Sequence, residues 1–204
     1  MDNNYIFQYW EAIQNGTVTV GKWIKTIYEI LVNGLKSGKW DFDEEKANKA
    51  INFIENFCHH SEGRNDLLKL ELWQKAIVSA IFGIMDKRTG YRQFREVFIV
   101  VARKNGKTLF AAAIAAYMAY IDGEYGAKVY FLAPKLDQAD LVYDAFYQIV
   151  QADDELDSIT KKRRSDIYIK EFNTSVKKIA FNSKKSDAVS YTHLRAHETG
   201  RNLV

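Results

Sequence analysis

The densest set of groups able to grip an anion lies in Val101-Ala102-Arg103-Lys104-Asn105-Gly106-Lys107-Thr108. Gly106-Lys107-Thr108 is the second half of a phosphate-loop pattern. Its value depends on a strand before it and a helix after it. At a helix start the backbone N–H groups have no intrahelical acceptor and lie at the positive end of the helix dipole. Gly106 lacks a Cβ and lets a phosphate approach the backbone. Lys107 would place its ammonium on the β- and γ-phosphates of a nucleoside triphosphate, and the Thr108 hydroxyl would coordinate Mg²⁺. Arg103 would stand near the γ-phosphate, where a guanidinium stabilises charge developing in transfer. The pattern is incomplete, because Val101 occupies the place of the first glycine. A charged surface turn with a solvated lysine, and an arginine balancing nearby acids, would read the same way.

Trp73-Gln74 is the next pair of interest. A ring beside an amide, upstream of the loop, could hold adenine by its face and read its edge. The same tryptophan lies on an apolar helical face and equally suits a core. Cys58-His59-His60 are the softest ligands in the chain, but neighbouring residues point apart and no second cluster accompanies them. They read as a helix end with two exposed imidazoles. The single cysteine excludes an internal disulfide.

The elements that must position these residues follow from periodicity. Ile6, Tyr9, Trp10 and Ile13 form one helical stripe. Trp23, Ile24, Ile27, Tyr28, Leu31 and Val32 form a second, ended near Asn33-Gly34. Asp41 and Glu44 have capping-box spacing ahead of a third helix, Glu44–Cys58, with Ala47, Ala50, Ile51, Ile54 and Phe57 on one face. Leu67–Met85 reads as a helix with Leu70, Trp73, Ile77 and Ile81 inward, and Asp86–Gly90 as a turn. Phe94–Val101 reads as a buried strand, Leu109–Ile121 as a closely packed helix, Lys128–Ala133 as a second strand closed by Pro134, and Leu136–Val150 as a helix. Strand, helix, strand, helix argues for a parallel sheet. Ile167–Phe172 and Ser175–Phe181 read as two strands turning at Asn173-Thr174. Val176–Phe181 is expected to be an open, aggregation-prone edge.

The chain has 204 residues, 47% of them hydrophobic, and a formal charge of +3. That size suits one sizeable domain with a small appendage, and that charge is too mild to argue for nucleic acid by itself. Lys161-Lys162-Arg163-Arg164 could touch DNA phosphates or form a solvated loop. No segment has the form of a signal peptide or a membrane span, so a cytoplasmic protein is expected.

Leu70-Glu71-Leu72-Trp73-Gln74-Lys75-Ala76-Ile77, then Ala80-Ile81-Phe82-Gly83, Arg92, Phe94-Arg95-Glu96-Val97-Phe98-Ile99 and the loop Val101–Thr108 resemble the ATPase domain of phage terminase large subunits. The similarity covers about Leu67 to Phe181. In that family the first loop glycine is commonly replaced, the loop often carries an arginine, here Arg103, and Trp-Gln serves as the adenine motif, here Trp73-Gln74. Leu72 stands where members often have proline. Lys128–Ala133 and Gln138-Ala139 match the family's next strand and helix.

The resemblance implies a P-loop NTPase α/β fold, a parallel sheet flanked by helices with an N-terminal helical subdomain. Residues 1–64 would be that subdomain and 65–188 a partial ATPase domain. Lys107 and Arg103 would be catalytic. Arg103, Lys104, Asn105, Gly106, Lys107, Thr108, Trp73 and Gln74 would bind ATP, with Mg²⁺ on Thr108. The resemblance further implies a motor that drives double-stranded DNA into a procapsid in the bacterial host cytoplasm. Expected partners are a small subunit, the portal protein and further copies in a ring, and no membrane; Met1–His60 could dock one of them. The intact protein would also carry a C-terminal nuclease. The family's acidic strand, an apolar run ending in Asp and Glu, is not recognisable after Phe181, and efficient ATP turnover by this chain is not expected. Val189–Val204 resembles translated sequencing-adaptor read-through, and its histidines are then not ligands. The other readings are a helicase-like nucleic-acid motor, a kinase or nucleotide-binding regulator, and a helical adaptor in which Gly-Lys-Thr is incidental.

Overall fold

Helix α1 (Tyr5–Gln14) starts where the Asn4 side chain accepts the Ile6 N–H at 2.9 Å, supplying a partner that the first turn lacks. The coordinates are a computed structural model describing residues 4–60, 66–122 and 125–181. The expected tail Val189–Val204 lies outside these residues. The chain divides into two compact units, one drawn from Met1–Glu55 and Lys69–Val97, the other from Asn56–Leu68 and Phe98–Val204.

The first unit is mainly helical. After α1 come α2 (Lys22–Lys36), β1 (Asp41–Phe42), α3 (Glu44–Phe57), α4 (Leu72–Gly83) and β2 (Ile84–Met85). β1 and β2 pair antiparallel, Phe42 opposite Ile84. Ile6, Tyr9, Tyr28, Leu31, Val32, Trp40, Ala76 and Ile84 make the core, and Trp10, Ile13 and Trp73 pack on it half-buried. Three sequence expectations change here. The cap of α3 is Asp43, not Asp41: its Oδ1 accepts the Lys46 N–H at 3.0 Å, and this bond holds the carboxyl below the usual carboxylate range. Helix α2 buries only half of its expected stripe, because Trp23, Ile24 and Ile27 stay exposed while Tyr28, Leu31 and Val32 go in. Of the set expected inward, Leu70 is buried, but Trp73, Ile77 and Ile81 are only half-buried, and the buried side of α4 is Gln74, Ala76, Val78, Ser79 and Phe82.

Helix α2 also runs past Asn33-Gly34 to Lys36. Gly34 is needed there for close approach: a Cβ on it would overlap the Trp40 ring, which is itself held edge-on to Phe94 at 5.5 Å. Gly34→Ala should gain about 1 kcal/mol of helix propensity and lose about 1–3 kcal/mol to overpacking. The net expectation is a lower denaturation midpoint. Tryptophan fluorescence will report it, since Trp10, Trp23, Trp40 and Trp73 all belong to this unit. An unchanged or higher midpoint would show that Trp40 can yield.

The second unit is a sheet with helices on one face. Its elements are α5 (Lys107–Tyr120), β3 (Lys128–Ala133), α6 (Leu136–Ala152), α7 (Asp154–Ile159), β4 (Thr160–Lys162), β5 (Ile167–Ile169) and β6 (Thr174–Ala180). The strand order is β3-β6-β5-β4. β3 and β6 are parallel; β6–β5 and β5–β4 are antiparallel, so the sheet is mixed rather than wholly parallel. The expected β5–β6 hairpin is present, turning through Asn173 at φ 53°. β6 is internal, and β3 and β4 are the outer strands; the expected open edge at Val176–Phe181 is therefore corrected. Local periodicity marks a strand but carries no information on its neighbours.

Ala112, Ala113 and Ala116 are fully buried along α5 and let α6 lie close to it. Tyr120 stacks on Phe146, and its hydroxyl meets the Thr160 hydroxyl at 2.6 Å. Burial pushes the Tyr120 hydroxyl well above its usual pKa.

The segment Phe94–Val101 is not a strand. Phe98 is 92% and Val100 97% exposed, and among the described residues no strand pairs with this segment. Apolar, β-branched sequence suits a strand only when a ladder and two covering layers receive it.

Candidate functional site

The helix that the pattern requires follows the loop, but among the described residues no strand leads directly into it. Gly106 is the N-cap of α5 in the left-handed conformation (φ 65°, ψ 18°) and Lys107 is the first helical residue. No side chain caps this helix. The first helical hydrogen bond across the boundary is Phe110 N–H to Gly106 carbonyl at 2.9 Å. The N–H groups of Lys107, Thr108 and Leu109 precede it and have no intrahelical acceptor. Lys104 is also left-handed, at φ 68°. A non-glycine residue there is strained by roughly 1–2 kcal/mol. Asn105 braces the turn, its Nδ2 donating to the carbonyls of Ala102 at 3.3 Å and Arg103 at 3.4 Å.

Residues 102–107 are exposed and Thr108 is half-buried. The ammonium of Lys107, the guanidinium of Arg103 and the N–H groups opening α5 thus form a donor-only set facing solvent. This chemistry fits an oligophosphate and offers nothing to a cation except the Thr108 hydroxyl. Among the described residues no group of three His, Cys, Asp or Glu could hold a metal ion.

Trp73 and Gln74 belong to the first unit, the loop to the second. Gln74 is 8% exposed, and its side-chain oxygen accepts the Glu71 N–H at 2.9 Å, while Glu71 accepts in return from the Gln74 backbone. This reciprocal box starts α4. The spacing of Glu71 and Gln74 could have revealed it, but a glutamate is an uncommon cap. It leaves the amide NH₂ of Gln74 as the group able to read a base. Glu55, which the sequence did not single out, secures the same corner. Its carboxylate accepts the Leu70 N–H at 2.9 Å and pairs with Lys75 at 3.1 Å. Lys75 also lies over the Tyr5 ring at 5.3 Å.

Cys58-His59-His60 follow α3 rather than ending it. The Cys58 carbonyl accepts the Leu68 N–H at 2.7 Å, and His59 bridges Leu67. Both imidazoles are half-buried, a correction to the exposed ones expected. Cys58 is fully buried, and burial pushes its thiol up to about 12.

The family of the terminase large subunit ATPase domain matches residues 72–201, well over half of the chain. The chain belongs to that family. The family is enzymatic, and the chain's nucleotide-binding character follows from it. The crystal structure of the HK97 bacteriophage large terminase is similar with a TM-score of 0.59 and 24% identity, over 68% of this chain and 28% of that one. At that identity the likeness concerns the fold, a helix-and-strand P-loop NTPase type with a mixed sheet. This chain therefore spans under a third of the HK97 protein's length. No curated protein matches it. No described helix is long and apolar enough to cross a membrane.

Proposed function

We propose that this chain is the ATP-binding part of a viral DNA-packaging motor whose intact protein spends ATP hydrolysis on moving double-stranded DNA into a procapsid. The observation that carries this reading is Gly106-Lys107-Thr108 opening α5 in the left-handed-to-helical turn, with its first N–H groups free for phosphate oxygens. In this reading Arg103, Lys104, Asn105 and Gly106 wrap the phosphates. Lys107 and Arg103 neutralise charge that builds up in transfer, and Thr108 orients Mg²⁺, which supplies electrostatic stabilisation of the phosphates when bound. Trp73 and Gln74 hold the adenine. The functional ATPase region is residues 65–188, although its first helix, α4, packs within the unit that residues 1–55 build. A nuclease elsewhere in the intact protein, a small subunit, a portal and a ring of copies in the host cytoplasm complete the proposal.

The decisive test uses the intact protein with procapsids and linear duplex DNA. Packaging should depend on Mg²⁺ and ATP and be stimulated by DNA ends. ATP-driven strand separation without packaging would replace this reading with a helicase-like motor.

A further inference from the structure

The second unit separates its charges by layer. Residues 136–159, which form α6 and α7, hold seven acidic residues and no lysine or arginine. Residues 160–181, which form β4, β5 and β6, hold seven lysines and arginines against two acids. The whole chain is only +3, so this contrast is hidden in the total.

The register shows where those basic groups go. Partners directly opposite in neighbouring strands share a face. Lys162, Ile167, Val176 and Val129 form one row, and Ile167 and Val176 are fully buried. This is the face covered by helices: Phe131 packs against Tyr143 and Phe146, and Lys178 pairs with Asp140 at 2.6 Å. The alternate row is Lys161, Tyr168, Ser175 and Lys128, followed by Lys177 opposite Tyr130. Lys161 and Lys128 are exposed, and Tyr168, Lys177 and Tyr130 are half-buried. None of these positions is acidic. Arg163 adds a guanidinium whose centre sits 3.5 Å from the Tyr168 ring centroid. Lys162, by contrast, lies over Tyr147 of α6 at 4.0 Å and faces the helix layer.

We infer that this second face of the sheet, with Lys128, Lys161, Lys177 and Tyr168-supported Arg163, is a contact surface for the phosphate backbone of duplex DNA. The lysines sit on three different strands, so their spacing is fixed by the sheet rather than by a loose loop. An ammonium on a long stem suits a phosphate row with no demand on base sequence. The acidic helix layer on the opposite side repels the same polyanion and orients the unit towards it. The inference rests on the proposed motor function only in taking duplex DNA as the polyanion.

The test is fluorescence anisotropy of the full chain with a labelled 30-base-pair duplex of mixed sequence, across a salt series. Each phosphate contact contributes about 0.9 to the slope of log affinity against log salt. The triple variant K128Q/K161Q/K177Q should lower that slope by about 2.7 and weaken binding at low salt by more than tenfold. The variant D144N/D154N/E155Q, which neutralises exposed acids of the helix layer, should leave the slope unchanged. An unaltered slope in the lysine variant would overturn the inference. So would equal responses to both variants, which would show that only net charge matters, or tighter binding of poly-glutamate than of the duplex. Nucleotide binding, read separately, keeps the two proposals distinct. A normal nucleotide affinity with an unaltered slope sinks this surface alone, and a lowered slope without nucleotide binding sinks the motor reading alone.

Discussion

Replacing Lys107 by alanine is expected to weaken binding of a fluorescent ATP analogue roughly ten- to a hundredfold. A hydrogen bond to a charged group is worth about 1.5–3 kcal/mol, and every 1.4 kcal/mol is close to a factor of ten in Kd. The lysine is exposed and makes no ion pair among the described residues, so the denaturation midpoint should shift by no more than about 0.5 kcal/mol of stability. That combination separates a binding role from a structural one. Thr108→Ala should act differently: affinity without Mg²⁺ should be nearly unchanged, and the gain on adding Mg²⁺ should shrink. If Lys107→Ala leaves affinity where it was, the Gly-Lys-Thr triplet is incidental and the chain is at most a helical and α/β adaptor. If affinity falls but the midpoint falls with it, the lysine supports the loop rather than the nucleotide.

The parts of this structure that were legible in the sequence are those decided locally. Gly106-Lys107-Thr108 could be placed at a helix start because the cap, the small-residue helix and the following strand are all within a few tens of residues. α5, β3, α6 and the β5–β6 turn were legible for the same reason. What escaped was decided by partners far away in sequence. Phe94–Val101 has the composition of a buried strand, yet among the described residues it has no ladder to join. β6 has the composition of an edge or a centre equally, and only its pairing with both β3 and β5 makes it internal.

Helix faces were misjudged where a helix is apolar on more than one side. α2 carries Trp23, Ile24, Ile27 and Ile30 outward as well as Tyr28, Leu31 and Val32 inward, and periodicity cannot choose between two stripes. At the candidate site the types of residue were readable but not their backbone states. Nothing in the sequence signals that Lys104 would be left-handed or that Asn105 would brace two carbonyls. Gln74 shows how a local task can mimic a binding signal. Its oxygen starts a helix, which explains its burial without any ligand.

Phe146→Ala should be the most damaging single change in the second unit. Phe146 is fully buried on α6 and touches two of the elements packed on that helix, stacking with Tyr120 of α5 at 6.4 Å and tilting against Phe131 of β3 at 5.9 Å. Removing a buried phenyl ring costs about 3–5 kcal/mol, combining lost transfer energy with the cavity left behind. Alanines line the facing side of α5, and such short side chains cannot reach in to close the gap. Measured by hydrogen exchange, peptides of α5, α6 and β3 should lose protection by a factor of roughly a hundred to a few thousand, the same free energy expressed as a population of open states. Nucleotide affinity should fall as well, because α5 carries the loop's N–H donors and is positioned through this ring; Phe146→Leu, which fills most of the volume, should restore much of both. Protection lost only in α6 would show that the ring does not join the three elements. Weakened nucleotide binding with full protection would place its effect outside the packing described.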